Sequence, residues 1–145
     1  MQETLQIGTD ELTFRVMGEQ TDGALLAVDV RLPAGGGPPV LHRHTPLEVY
    51  RVDRGELAIY LEEADGAVQR IAAGPGAVVH IPAGRAHTVR NESDAEATAH
   101  VVFAPGAEIE RFMRAAGALG EPTPAAVLAL AERHGIEMTS PVPAG

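Results

Sequence analysis

A chain of 145 residues is enough for one domain with a core of its own. Its net charge of −9, with 11 arginines and neither lysine nor cysteine, excludes Schiff-base lysines, a phosphate-loop lysine, thiolate nucleophiles, disulfides and cysteine-ligated iron–sulfur clusters. The same balance leaves no basic stripe for a nucleic-acid backbone or an anionic membrane, and 16 glycines with 11 prolines favour a turn-rich β protein.

In chain order, strand signals come first. Leu12 to Val16 and Ala24 to Leu32 are short apolar patterns, and Leu26, Val28, Val30 and Leu32 share one face at period two. Gly35, Gly36 and Gly37 run into Pro38 and Pro39 rather than into a helix, so they form a loop and not a dinucleotide fingerprint. Leu47 to Glu62 reads as two strands about Asp53-Arg54-Gly55, with a hairpin turn at Glu63-Ala64-Asp65-Gly66 leading to Ala67 to Ile71. Further strands are expected at Ala77 to Ile81, Ala86 to Asn91 and Ala95 to Ala104. Many short strands of this kind indicate a sandwich or barrel, whose closure hides strand edges. Ser93 and Ser140 are the only serines, and neither lies in a Gly-x-Ser-x-Gly turn, which argues against serine hydrolysis.

After Pro105-Gly106 the period changes to about 3.6. Ile109, Phe112, Met113 and Ala116 form an apolar stripe, with Glu108, Glu110, Arg111 and Arg114 outside it. A second helix is expected from Thr123 as N-cap, through Pro124, Val127, Leu130 and Ala131, to a stop at Gly135. The expectation is one domain over residues 1–145, with a barrel over about 10–105 and a helical tail over about 107–136 packed on its outside.

Two clusters carry the chemistry. In an extended segment, residues two and four apart point the same way, so His42, His44 and Glu48 share a face with Tyr50 and Val52, while Arg43, Arg51 and Asp53 fall on the solvated side. Pro46 interrupts the ladder between them. An interior carboxylate beside histidines needs a compensating cation, which a divalent metal supplies. His87, set on a strand after a turn at Pro82-Ala83-Gly84, is the candidate fourth ligand. Tyr50, His80 and His100 are candidates for the pocket, the histidines also for partners of the ligating rings. The alternatives are a tyrosine that fills core volume and histidines satisfied in the barrel wall.

The spacings resemble the two signature motifs of the cupin superfamily. The first runs Gly36, five residues, His42-Arg43-His44, three residues, Glu48, six residues, Gly55; the second runs Gly76, five residues, Pro82-Ala83-Gly84, two residues, His87, three residues, Asn91. One departure is Ala77, where many members carry aspartate, and only a local turn difference is expected from it. The resemblance implies an all-β, single-domain jelly-roll β-barrel, often a dimer, in which His42, His44, Glu48 and His87 bind one metal. From Phe103 to Glu137 the chain is similar to small bacterial cupins described as quercetin 2,3-dioxygenase-like.

Three nitrogens and one oxygen suit iron, manganese, nickel, cobalt, copper or zinc equally. Open coordination positions would take dioxygen or an enolate, phenolate or carboxylate. The expected function is thus a metal-dependent, dioxygenase-like oxidoreductase on a small oxygenated substrate, with Glu48 also a candidate catalytic base. A metal-dependent isomerase, cyclase or lyase, and a non-catalytic cupin that binds a small molecule or metal, stand as alternatives. A homodimer with a small-molecule substrate and no nucleic-acid or membrane partner is expected. With no apolar run near about 18 residues and a polar start at Met1-Gln2-Glu3-Thr4, a cytoplasmic location is expected too.

Overall fold

The alternating segments become strands, and the computed structural model, which describes residues 3–119 and 123–143, arranges them as two antiparallel sheets. In chain order the elements are β1 (Glu3–Ile7), β2 (Asp10–Val16), α1 (Gly18–Thr21), β3 (Leu26–Leu32), β4 (Val40–Arg43), β5 (Leu47–Arg54), β6 (Leu57–Glu62) and β7 (Val68–Ala73). They continue as β8 (Val78–Ile81), β9 (His87–Arg90), β10 (Ala97–Ala104), α2 (Ala107–Gly117), α3 (Pro124–Arg133) and β11 (Glu137–Pro141). One sheet has six strands in the order β1-β2-β3-β10-β5-β8; the other has five, in the order β11-β4-β9-β6-β7. Neighbours distant in sequence, as in β3 against β10 and β4 against β9, give the jelly-roll form expected from the motifs.

Burial follows the pleat. In β3, Leu26, Val28, Val30 and Leu32 are buried while Arg31 is exposed, and in β10 Ala97, Ala99, Val101 and Phe103 alternate with half-buried neighbours. These residues meet Phe14, Val52, Leu57, Ile59 and Ile81 in one core between the sheets. Fully burying a side chain such as Phe14 or Leu26 contributes about 1.5–3 kcal/mol. β6 is buried on both faces because Ala58 and Tyr60 pack outward with Leu41 and Ala86 in a smaller cluster.

Turns are built as the composition suggested. Gly55 turns β5 into β6 at φ +78, and a side chain there would run into the backbone of Glu96 and Ala97. The substitution of alanine at position 77 leaves the preceding turn closed. Ala77 N–H donates to Gly74 O at 3.0 Å, and Gly76 N–H donates to Val52 O at 2.8 Å.

α2 buries Ile109, Met113 and Ala116, and α3 buries Leu130 and Ala131, as the 3.6 period predicts. Thr123 caps α3 by accepting from Ala126 N–H at 3.2 Å. Arg114 is less solvated than its place outside the stripe suggested. It donates to Glu3 at 2.6 Å and Glu110 at 3.0 Å and lies 4.6 Å over the Phe14 ring, tying α2 to β1 and β2.

Three elements were not foreseen: β1, the short α1 and β11. β11 pairs with β4, so the tail ends as part of a sheet rather than as helices alone. Residues 120–122 of the expected tail, with 1–2 and 144–145, lie outside the described residues. Among those described, no helix is long and apolar enough to cross a membrane.

Candidate metal centre

The chain segment around Pro46 places its residues differently from the single extended face expected. β4 belongs to the five-stranded sheet and β5 to the six-stranded one, so the chain crosses between sheets at His44-Thr45-Pro46. His42 and Glu48 therefore approach the interior from different sheets, and His44 projects from the crossing. Arg43, Arg51 and Asp53 are exposed, as the pleat argument requires. His87 sits directly opposite His42 across the β4–β9 pair. The turn before β9 is fastened to the first motif, because Gly84 N–H donates to His44 O at 2.9 Å while Gly84 takes φ +73.

The three imidazoles converge. Ring centroids are 4.7 Å apart for His42 and His87, 5.0 Å for His44 and His87, and 6.0 Å for His42 and His44. Each ring turns Nδ1 to a main-chain carbonyl: His42 to Val40 O at 3.2 Å, His44 to Pro46 O at 3.0 Å and His87 to Arg85 O at 2.8 Å. A carbonyl only accepts, so Nδ1 carries the proton in all three and Nε2 is left with a free lone pair. One ligand nitrogen from each ring lies within 4.8 Å of the others, a set able to hold a metal ion.

Glu48, buried like His44 and His87, completes the group. Its Oε2 lies 2.8 Å from His44 Nε2 and 2.5 Å from His87 Nε2. The His87 contact lacks hydrogen-bond geometry, so this nitrogen is buried without a partner. A lone pair beside a buried carboxylate fits a cation, either a metal ion or the proton that Glu48 favours on His87 when no metal is bound. The donor set suits a divalent transition metal without selecting among them.

Electrostatics sharpen this. Burial, reinforced by neighbouring His87, pulls the His42 imidazole from 6.5 down to about 4, so it is neutral and able to ligate at physiological pH. Burial acts to raise the Glu48 carboxyl, but His87 and His44 outweigh it and hold it below the usual carboxylate range. Burial also acts to lower His87, and there the Glu48 charge prevails and raises it. Burial, then Glu48, pushes the Tyr50 phenol well above its ordinary value, keeping it a neutral donor.

These groups open into a cavity of about 240 Å³. Tyr50 lines it, whereas His80 and His100 do not. The pocket expectation for those two histidines is corrected by their strand phase. His80 is exposed opposite Val49, and His100 faces outward from β10, where its Nδ1 meets Asp29 Oδ1 at 2.8 Å. Neither ring touches the three converging imidazoles. A polar groove of about 260 Å³ on that outer face, against Asp29 and Arg31, shares none of the metal-site residues.

The sequence reading missed Asp10, Phe112, Met113, Val127, Ile136 and Met138, all of which line the cavity. An apolar helix stripe looks the same whether it faces a solid core or a pocket, so the α2 residues carried no distinguishing signal. The alternation of Ile136 with Met138 after Gly135 was the one available hint of β11.

Comparison with known proteins agrees with this architecture. The Cupin domain family matches residues 28–110, more than half of the chain. No curated protein matches. Among solved structures, oxalate decarboxylase from Bacillus subtilis is similar at TM-score 0.63 and 20% identity, over 72% of this chain and 27% of that one. The present chain thus spans about a quarter of that protein's length. TT1209 from Thermus thermophilus is similar at TM-score 0.53 and 25% identity, over 72% of this chain and 84% of that one. A further structure of the Bacillus enzyme, described for its Mn(II) centers, matches at TM-score 0.62 and 20% identity, over 72% and 28%.

Proposed function

Because this chain belongs to the cupin family, we propose that it is a metal-dependent, dioxygenase-like oxidoreductase acting on a small enol, phenol or carboxylate. The observation that carries the reading is the convergence of three imidazoles, each with its tautomer fixed by a carbonyl, on one buried carboxylate at the end of a cavity. His42, His44 and His87 would hold the metal with Glu48 as fourth ligand. When bound, the metal supplies a Lewis acid for the substrate oxygen and a site for dioxygen chemistry.

The side chains divide the remaining work. Glu48, as a buried carboxylate, would accept a proton from the substrate's enol or phenol. Tyr50, neutral and on the cavity wall, donates a hydrogen bond to a substrate oxygen. The apolar walls exclude water and position the organic body. The dioxygenase assignment draws on the likeness of the tail to quercetin 2,3-dioxygenase-like cupins. On the same reading the protein works as a cytoplasmic homodimer on a small molecule, with no nucleic-acid or membrane partner.

Tyr50 and Glu48 together, a donor beside an acceptor, also support a second reading as an isomerase, cyclase or lyase that needs no oxygen. Turnover of enols and phenols in air and under argon separates the two. Glu48→Gln, with metal content measured alongside, is expected to lower turnover by about 10²–10⁴-fold. Turnover near the parent rate with metal retained would discard the base role.

A further inference from the structure

We propose, building on the metal-dependent reading above, that the segments flanking the family-matched region complete an apolar wall that restricts the substrate class. The substrate has one chelating, oxygenated head and an uncharged apolar body of about one-ring size, with no second charged group on that body. The cavity has two unlike ends. Its polar end is made by His42, His44, Glu48, Tyr50 and His87, all within residues 28–110. Its apolar wall is shared between that range, with Val30, Leu32 and Phe103, and its flanks, with Phe112, Val127 and Ile136, while Met138, paired with His42, stands beside the polar end. The metal end thus lies wholly within the family-matched region, and the flanks add about half of the apolar wall.

Size limits the body. A dry cavity of about 150 Å³ holds benzene, and pockets for drug-sized ligands run from about 300 Å³ upward. At about 240 Å³ this one takes a single substituted ring or a branched chain of similar bulk.

Charge limits it further. Among the described residues lining the cavity there is no arginine, so a second carboxylate would be buried without a cationic partner. Asp10, which also lines the cavity, would repel it. The apolar wall is also held in place. Arg114 Nη1 donates to Glu3 at 2.6 Å, Gly18 N–H donates to Glu110 at 2.7 Å, and His134 Nδ1 meets Glu108 at 2.8 Å. A wall fixed at several points discriminates shape, because little ordering is left to be done on binding.

The test is calorimetric binding of catechol, 4-methylcatechol, 4-ethylcatechol and 3,4-dihydroxybenzoate to the zinc-loaded full chain, zinc being redox-inert. Affinity is expected to rise about fourfold per added carbon, with 3,4-dihydroxybenzoate, which carries its charge on the ring, weaker than catechol. Val127→Phe, which fills part of the apolar wall, should abolish the gain while zinc content stays at the parent level. Phe112→Ala should move the preference to bulkier substituents. 3,4-Dihydroxybenzoate binding as tightly as 4-ethylcatechol, no gain along the series, or a gain that survives in Val127→Phe would overturn the proposal. If the parent takes up no zinc, the metal-dependent reading falls, and toluene with the metal-free protein decides the apolar end. A rise in Tm with toluene in the parent and not in Val127→Phe supports it; no rise in the parent overturns it.

Discussion

Acidifying the metal-free protein probes the imidazole cluster directly. His42 ionises at about 4 in the fold against 6.5 ordinarily, because of burial and then of His87. Between those values the unfolded chain binds a proton that the folded chain refuses, so stability falls as pH falls through this window. At about 1.4 kcal/mol per pH unit the full loss is about 3 kcal/mol. His87 has the opposite sign. Burial opposes its charge but Glu48 prevails, raising it above 6.5, so its contribution is complete below 6.5 and is lost as pH rises through the folded value. Glu48, held low, contributes above 4.5 and is withdrawn only in stronger acid. Stability of the metal-free protein should therefore peak near pH 6.5 and decline on both sides. Urea unfolding followed by circular dichroism, from about pH 4 to about pH 9, reads both limbs. His42→Gln should flatten the acid limb and His87→Gln the alkaline one. Zinc should remove the alkaline limb, because a nitrogen bound to metal cannot hold a proton. An acid limb that His42→Gln leaves unchanged refutes the assignment.

Other perturbations follow from the same contacts. His87→Ala, with His44→Ala beside it, should lower metal retention on dialysis by at least about 100-fold, read by elemental analysis against the parent. Asn91→Ala should cost about 2–3 kcal/mol in urea unfolding with metal content unchanged. The Asn91 side chain is fully buried; it donates to Leu32 O at 2.9 Å and Ala95 O at 2.8 Å and accepts from Ser93.

Much of the site was legible in the sequence because its determinants are local. The spacing of His42, His44 and Glu48 and the turn at Pro82 to Gly84 are short-range features, and the family likeness tied the two blocks together. The passage from one sheet to the other at His44 to Pro46 was not legible. A proline that interrupts a ladder is equally compatible with a bulge in one strand and with a change of sheet, and only the distant partners β9 and β10 decide between them. His80 and His100 were misplaced for a related reason. A histidine in a strand faces in or out according to register, and register is set across strands rather than along them. The helices were legible as helices, but what their apolar faces look upon depends on how far the sheets stand apart. That spacing is a property of the assembled core, and no window of sequence carries it.

The pairing of β11 with β4, with Met138 set against His42, gives the tail a second duty. It is a selvage that keeps the five-stranded fabric from unravelling at the border nearest the imidazoles. Cut the chain after α2, and β4 would present bare amides and carbonyls to any extended peptide that came by. The ready claimant is the same border on another truncated copy, so loss of the last few turns and their strand would yield adhesive particles rather than merely a roomier pocket.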